Sequence, residues 1–362
     1  MRMAGWRLLQ SADRATHFSS TVALTCPDVH RPAAAKPAKV QLRANLTRMS
    51  DPILHASDNG GVVLRREAIA RGLNDKALHR LVRSGILIRL RQGIYAIRSI
   101  YLAADAATRH LMLCHGVMRL YGDHVALSHG SAAMAQGGPD WGLDLSDVHL
   151  THLAGGGRKL ARIVHHHGGL RVGDLRRQDG HWLTAPGRTV LDITAVAGAE
   201  VGLVQANHFL SRRLTSLDEL HAIAAEERHW PRTLPHNLML HLADPKVESV
   251  GESRSLFCFS GQGLPRPETQ FEIRGGRGHL VARVDFAWPK LKVIVEFDGA
   301  EKYHRFRRPG ETIEEMVMRE KAREDLIREV TGWIVIRLTW ADLAFPMATA
   351  QRIRRAMANA AA

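Results

Sequence analysis

Cysteine is scarce in this 362-residue chain, which has only Cys26, Cys114 and Cys258, far apart and without CxxC spacing. So small and scattered a set offers no disulfide frame and no cysteine-based zinc site, and it suits a reducing cytoplasm. Long apolar runs are missing too. None approaches the roughly 20 residues a helix needs to span a bilayer, so a soluble protein with no membrane partner is expected. No apolar segment of signal-peptide length opens the chain, and export is not expected. Acidic residues are in short supply: 36 Asp and Glu stand against 50 Lys and Arg, a net charge of +14. A basic excess of that size favours a polyanionic partner, nucleic acid being the commonest. A basic surface kept for solubility is the plainer alternative. What is present is globular in kind, 45% hydrophobic and 24% charged, with length for two or three domains.

Histidine is plentiful, at 21 residues, notably in His165-His166-His167 and in the VHLTH pair, His149 and His152. Neither group has a cysteine or acidic partner at ligand spacing, so both read as surface histidines. Gly155-Gly156-Gly157-Arg158-Lys159 has the glycines of a phosphate cradle without the GxxxxGK[ST] pattern, and reads as a surface turn.

Composition divides the chain. Residues 1–48 hold few acids and little periodicity, and are expected to be disordered or an over-extended gene start. Residues 49–98 read as three short helices and a hairpin. DPILHASDNG gives the first helix and RREAIARGL the second, stopped at Gly72. Asn74 caps the third, NDKALHRLVRSG, and ILIRLRQGIYAI turns at Gln92-Gly93. Helix, helix, helix, hairpin is the order of a winged helix. Residues 99–248 mix helical stretches with short strands as an α/β middle domain. Residues 249–362 read as helix, antiparallel strands, helix, strand and a last helix. The expected class is therefore α+β and multidomain.

On the third helix Lys76, His79, Arg80 and Arg83 fall at i, i+3, i+4 and i+7, on one face. Leu78, Leu81 and Val82 lie on the other side, where a core would be. Residues 61–98 hold nine Lys and Arg against Glu67 and Asp75, with Arg89 and Arg91 on one side of the expected wing. A helix so built can lie in the major groove of double-stranded DNA. A solvated basic face on a protein-binding winged helix is the alternative.

The stretch GGVVLRREAIARGLNDKALHRLVRSGILIRLRQGIYAI resembles the N-terminal winged-helix domain of AbiEi-family antitoxins, the type IV toxin–antitoxin regulators. VALSHGSAAM, DVHLTHL and APGRTVLDIT resemble the segment that follows it in that family, so the likeness runs over roughly residues 50–220. It implies operator binding and transcriptional control. No toxin partner is visible within the chain.

The third unit poses a chemical question in VDFAWPKLKVIVEFDG. Strand interiors are depleted in Asp and Glu because an unpartnered carboxylate is costly to bury, yet Asp285, Glu296 and Asp298 stand here. Period two puts Lys292, Ile294, Glu296 and Asp298 on one face and Val293, Val295 and Phe297 on the other. A turn at Trp288-Pro289-Lys290-Leu291 would fold Asp285 back beside Glu296, bringing the three acids within one metal's reach. Glu252, on the helix upstream, could supply a fourth carboxylate. Such oxygen ligands suit Mg²⁺ or Mn²⁺, which can polarise a phosphodiester and lower the pKa of a bound water.

Together with ESRSLF and EKAREDLIREVTGWIVIRLTWADL, that stretch resembles the PD-(D/E)XK nuclease superfamily. The nearest branch is the domains similar to very-short-patch-repair endonucleases, over about residues 250–345. The resemblance implies a restriction-endonuclease-like α/β domain, Asp285 and Glu296 as metal-binding acids, and the Phe297 carbonyl as a further ligand. It departs from the motif in one place: Asp298 stands where a Lys is usual. Lys302 and Lys321 are the candidates for positive charge near the scissile phosphate. The alternative is a catalytically inactive repressor or antitoxin that keeps the fold for binding, its acids paired with Arg283 and Lys292.

Overall fold

The computed structural model describes residues 60–153, 158–160, 162–166, 169–276, 278–299 and 311–361. The expectations for residues 1–48, for the first helix in DPILHASDNG, for the Gly155 turn and for Lys302 all lie outside those residues. The chain divides into two compact units between Ala185 and Pro186, so the stretch expected as one middle domain, 99–248, is shared between them. The α+β class holds, with helices and three sheets.

The first unit opens with strand β1 (Val62–Leu64), helices α1 (Arg65–Ala70) and α2 (Asp75–Arg83), and the hairpin β2 (Leu87–Arg91) and β3 (Ile94–Ile97). The hairpin turns at Gln92-Gly93, with Gly93 at φ 80, a left-handed conformation that glycine adopts without a Cβ penalty. Strand β1 was not expected from the sequence; it pairs antiparallel with β3 and makes a three-stranded sheet β1-β3-β2. Asn74 caps α2, its side chain accepting the Ala77 N–H at 2.9 Å. Leu78 and Leu81 bury the inner face of α2 against Val63, Ala68, Leu87, Tyr95 and Ile97, with Val82 packed alongside.

Helices α3 (Arg98–Ala103) and α4 (Ala106–Tyr121) lead to strand β4 (Val125–Leu127) and helix α5 (His129–Ala135). Strands β5 (Val148–His152), β6 (Arg158–Leu160), β7 (Ile163–His166), β8 (Leu175–Gln178) and β9 (His181–Thr184) complete a six-stranded mixed sheet, ordered β6-β7-β5-β4-β9-β8. One face of α4, with Leu111, Cys114, Val117 and Met118, shares a core with Val62, Ile94 and Ala96 on one side and Val125, Leu127, Val148 and Leu150 on the other. The small sheet and the large one are therefore parts of one packed body.

The second unit begins with helices α6 (Pro186–Ala197), α7 (Ala199–Ser211), α8 (Leu217–Glu226), α9 (Leu234–Leu242) and α10 (Val250–Gly261). Strands β10 (Glu268–Arg274), β11 (Leu280–Trp288) and β12 (Val293–Phe297) follow, then α11 (Ile313–Thr331), β13 (Ile334–Leu338), α12 (Trp340–Ala344) and α13 (Pro346–Ala361). The sheet order is β10-β11-β12-β13, antiparallel except for the parallel pair β12–β13 that α11 connects. Val293, Val295 and Phe297 enter a core with Leu256 and Phe259 of α10 and Ile353 of α13, while Ile294 faces Ile327 of α11. This is the alternation read from KVIVEF. Because both faces of β12 are covered, a carboxylate on it needs a partner.

Candidate functional site

Two sites were expected, and each lies within one unit. In the first, Lys76, His79, Arg80 and Arg83 are all exposed, and with Asn74 they line one surface groove of about 660 Å³. The helical period is what gathers them: the opposite positions Leu78 and Leu81 are tied into the core, so these side chains face outward together. Asp75 is held by Arg65 through hydrogen bonds of 2.7 and 2.6 Å to its two oxygens, and its pKa is lowered by that hydrogen bonding.

The hairpin expected as a wing is built differently from the sequence reading. Arg89 and Arg91 were read onto one side of the hairpin, but the β2–β3 register shifts between them, from Arg89↔Tyr95 to Arg91↔Ile94. The extra residue, Leu90, turns into the core, and Arg91 becomes half-buried with Nε and Nη1 enclosed and without hydrogen-bond partners. Arg89 remains exposed. The bulge left no mark in the alternating sequence.

In the second site, the hairpin between β11 and β12 forms as expected. Its turn runs through the short 3-10 segment Pro289–Leu291, with Lys292 at φ 52. The register Phe286↔Val295 sets Asp285 beside Glu296, and the Phe297 N–H donates to Asp285 Oδ2 at 2.9 Å. Asp285, Glu296, Phe297 and Asp298 line a cleft of about 560 Å³ whose other wall is α11, with Met316, Arg319, Lys321 and Arg323, while Arg337 comes from β13. The trio of carboxylates does not close on one point. Among the described residues, the only group of three or more metal-ligating side chains with ligand atoms within 4.8 Å of one another is formed by histidines elsewhere in the chain.

Arginines stand against two of the acids. Arg323 donates to Glu296 at 2.8 Å, and Arg337 lies 3.7 Å from Asp298 and 4.0 Å from Glu296. The same two arginines reach Glu320 at 3.0 and 3.1 Å, and Arg337 reaches Glu324 at 3.0 Å. Burial works against the charge of Arg323, but hydrogen bonding and attraction from Glu296 outweigh it and raise its pKa. Arg337 is raised likewise, against burial, by Glu296, Glu324, Glu320 and Asp298. The partners Arg283 and Lys292, offered from the sequence, give way to these: Arg283 turns to Glu248 at 3.3 Å.

Glu252 is not part of the cleft lining. It sits buried in the first turn of α10, accepting from the Glu248 N–H, the Ser249 hydroxyl and Gln270 Nε2 at 3.1, 2.6 and 3.0 Å. Gln270 falls between the pairs Thr269↔Phe286 and Phe271↔Val284, level with Asp285, with φ 49. Glu252 is thus bonded to a residue of β10, the strand paired with the one that carries Asp285. Lys321 lines the cleft from an exposed position on α11.

Residues 51–98 match a family model described as "Transcriptional regulator, AbiEi antitoxin". The match covers the basic helix and its hairpin. Two curated relatives, "Uncharacterized protein MT2308" and "Uncharacterized protein Rv2248", come from Mycobacterium tuberculosis strains CDC 1551 / Oshkosh and ATCC 25618 / H37Rv. Each is 27% identical over 266 residues, which is 72% of this chain and 89% of the relative.

Among residues the sequence reading missed, Arg337 had a signal. In WIVIRL it stands at the position that a parallel strand places beside Glu296, and the register is Glu296↔Arg337. Arg323 had none beyond its place in a charged helix, because the rotation of α11 on the sheet decides which side chain meets Glu296. Among the described residues, no helix is long and apolar enough to cross a membrane.

Proposed function

We propose that this protein is a double-stranded-DNA-binding transcriptional regulator of AbiEi antitoxin type, with α2 as the helix that enters the major groove. The observation that carries the reading is the groove lined by Lys76, His79, Arg80 and Arg83 on the solvent face of a helix whose other face is fixed in a core. Such cations contact phosphates and base edges, and exposed Arg89 on the hairpin adds a phosphate contact beside them, as in a winged helix. A toxin as second partner belongs to the same reading, as does a cytoplasmic setting, which the free thiols Cys114 and Cys258 suit. The test is binding of the full chain to labelled duplexes, first random and then from the promoter of its own gene. Tighter binding to the promoter supports the regulator. Equal, weak binding to every duplex and to single strands counts against it.

A second reading concerns the acidic cleft: a PD-(D/E)XK-like site that holds Mg²⁺ or Mn²⁺ through Asp285, Glu296 and the Phe297 carbonyl. Two carboxylates and a carbonyl are a hard-cation donor set, and Asp285 is held beside Phe297 by a hydrogen bond. When bound, the ion would polarise a DNA phosphodiester and acidify a water. Arg323, now on Glu296, would have to release it, and would then stand with Lys321 as positive charge for a phosphate. Asp298 takes the position of the usual Lys and faces Arg337, which favours the inactive alternative. Plasmid cleavage in millimolar Mg²⁺ or Mn²⁺ by the wild type, lost in Asp285→Asn, would support the nuclease. Cleavage equal in both proteins, or absent from both, would remove it and leave the regulator standing.

A further inference from the structure

Three histidines far apart in the sequence meet on the six-stranded sheet of the first unit. Strands β7, β5 and β4 are neighbours there. His149 on β5 alternates with Val148 and Leu150, which enter the core, so its ring lies on the opposite face. The parallel register His149↔Val164 and Thr151↔His166 sets His166 on that face, one step further along. His129 arrives where β4 ends: the Ser128 N–H donates to the His149 carbonyl at 3.0 Å, extending the ladder, and α5 begins.

The rings are closely gathered. His129 stacks on His166 with centroids 3.5 Å apart and planes inclined by 17°, and His149 lies 5.0 Å from His166. His149 Nδ1 is 2.8 Å from His166 Nε2, and one ligand nitrogen from each of the three rings lies within 4.8 Å of the others. His129 is 7% exposed and the other two are half-buried. These are not the solvated surface histidines that the sequence suggested.

Local contacts fix the arrangement. His129 holds φ 51, a costly region for a residue with a Cβ. Its Nδ1 lies 3.0 Å from Ser128 Oγ. Ser131 Oγ accepts the His149 N–H at 2.9 Å and lies 3.0 Å from Nε2 of the buried His110. The contact on the His129 ring is of the kind that orients an imidazole ligating a metal, while Ser131 fixes the backbone of His149.

We propose that His129, His149 and His166 bind one divalent transition-metal ion of the zinc class, His149 through Nδ1 and the other two through Nε2. The neutral imidazole is the form that ligates a metal. Three histidines with a fourth position for water is an established zinc donor set, and imidazole equally suits nickel, copper and iron. With zinc–nitrogen bonds of about 2.0–2.1 Å, tetrahedral ligand nitrogens stand about 3.3 Å apart, so on binding the 2.8 Å pair opens by roughly half an ångström and the stacked His129 and His166 rings turn out of parallel to aim at one ion. The ion ties the end of β4 to β5 and β7, and it stabilises the first unit because only the folded chain presents the site.

The test uses the full chain, stripped with a chelator and titrated with Zn²⁺ by calorimetry and thermal melting, and with Co²⁺ by visible absorption. Expected are one Zn²⁺ per chain, a raised thermal midpoint and a Co²⁺ ligand-field spectrum. His149→Ala and His166→Ala should each abolish all three, while His152→Ala and Asp285→Asn keep them. The Co²⁺ spectrum of the wild type keeps the claim testable if a variant fails to fold. The proposal is overturned if the wild type takes up no stoichiometric ion, or if both ligand variants, folded by circular dichroism, bind as the wild type does. The rings would then be a metal-free imidazole cluster.

Discussion

Arg188 is 2% exposed, and two carboxylates keep its charge inside the second unit. Its Nε lies 2.8 Å from Asp192 and 3.2 Å from Glu227, and its guanidinium covers the Trp230 ring at 4.7 Å. Removing one partner from a buried ionic group leaves the others uncompensated, at a cost of about 3–5 kcal/mol. Arg188→Ala should therefore lose about that much stability in urea unfolding, and a loss below about 1 kcal/mol would show that water reaches the site. His110 gives a pH-dependent counterpart. Burial, opposed by the hydrogen bond to the Leu145 carbonyl, pushes its pKa from 6.5 down to about 4. The folded state therefore refuses a proton that the unfolded state accepts between those values. The contribution is intact above about pH 6.5, falls away as pH drops towards about 4, and is fully lost below. In His110→Gln the decline of the thermal midpoint over that window should be shallower than in the wild type. Equal slopes would show that other groups set it.

Elements were legible where local chemistry announces them. Helix α2 carries a capping Asn74, a helical period and a glycine stop, and it lies where the sequence put it. The β11–β12 hairpin was readable from its turn and from acids that strands rarely hold. Strand β1, three residues long with no alternation, offered no such mark. The Arg323 contact on Glu296, the bulge that half-buries Arg91 and the meeting of three histidines depend on how elements pack or pair, which periodicity does not encode. One packing contact can be tested directly. A Cβ on Gly251 of α10 would fall 2.0 Å from the Phe297 ring, which packs edge-on to Trp340 at 5.0 Å. Gly251→Ala should push β12 away from α10 and cost about 1–3 kcal/mol by overpacking. A neutral effect on the denaturation midpoint would mean that Phe297 can turn aside freely.

At the scale of the whole molecule, the net charge of +14 is a field as well as a contact list. Yet the two sites differ in how they use charge. The groove beside α2 is lined by Lys76, His79, Arg80 and Arg83 together with Asn74. In the cleft beside β12, each acid named has an arginine or a backbone N–H against it. General basicity and a specific α2 interface both predict DNA binding, but only the second predicts that a few residues dominate it. The most direct test is the salt dependence of duplex binding by the full chain and by Arg80→Ala/Arg83→Ala, with the fold checked in each. Each phosphate contact contributes about 0.9 to the slope of log affinity against log salt. The α2 interface predicts weaker binding and a slope shallower by roughly two units in the double variant. Unchanged affinity and slope in a folded double variant would contradict it and move the DNA-binding surface elsewhere.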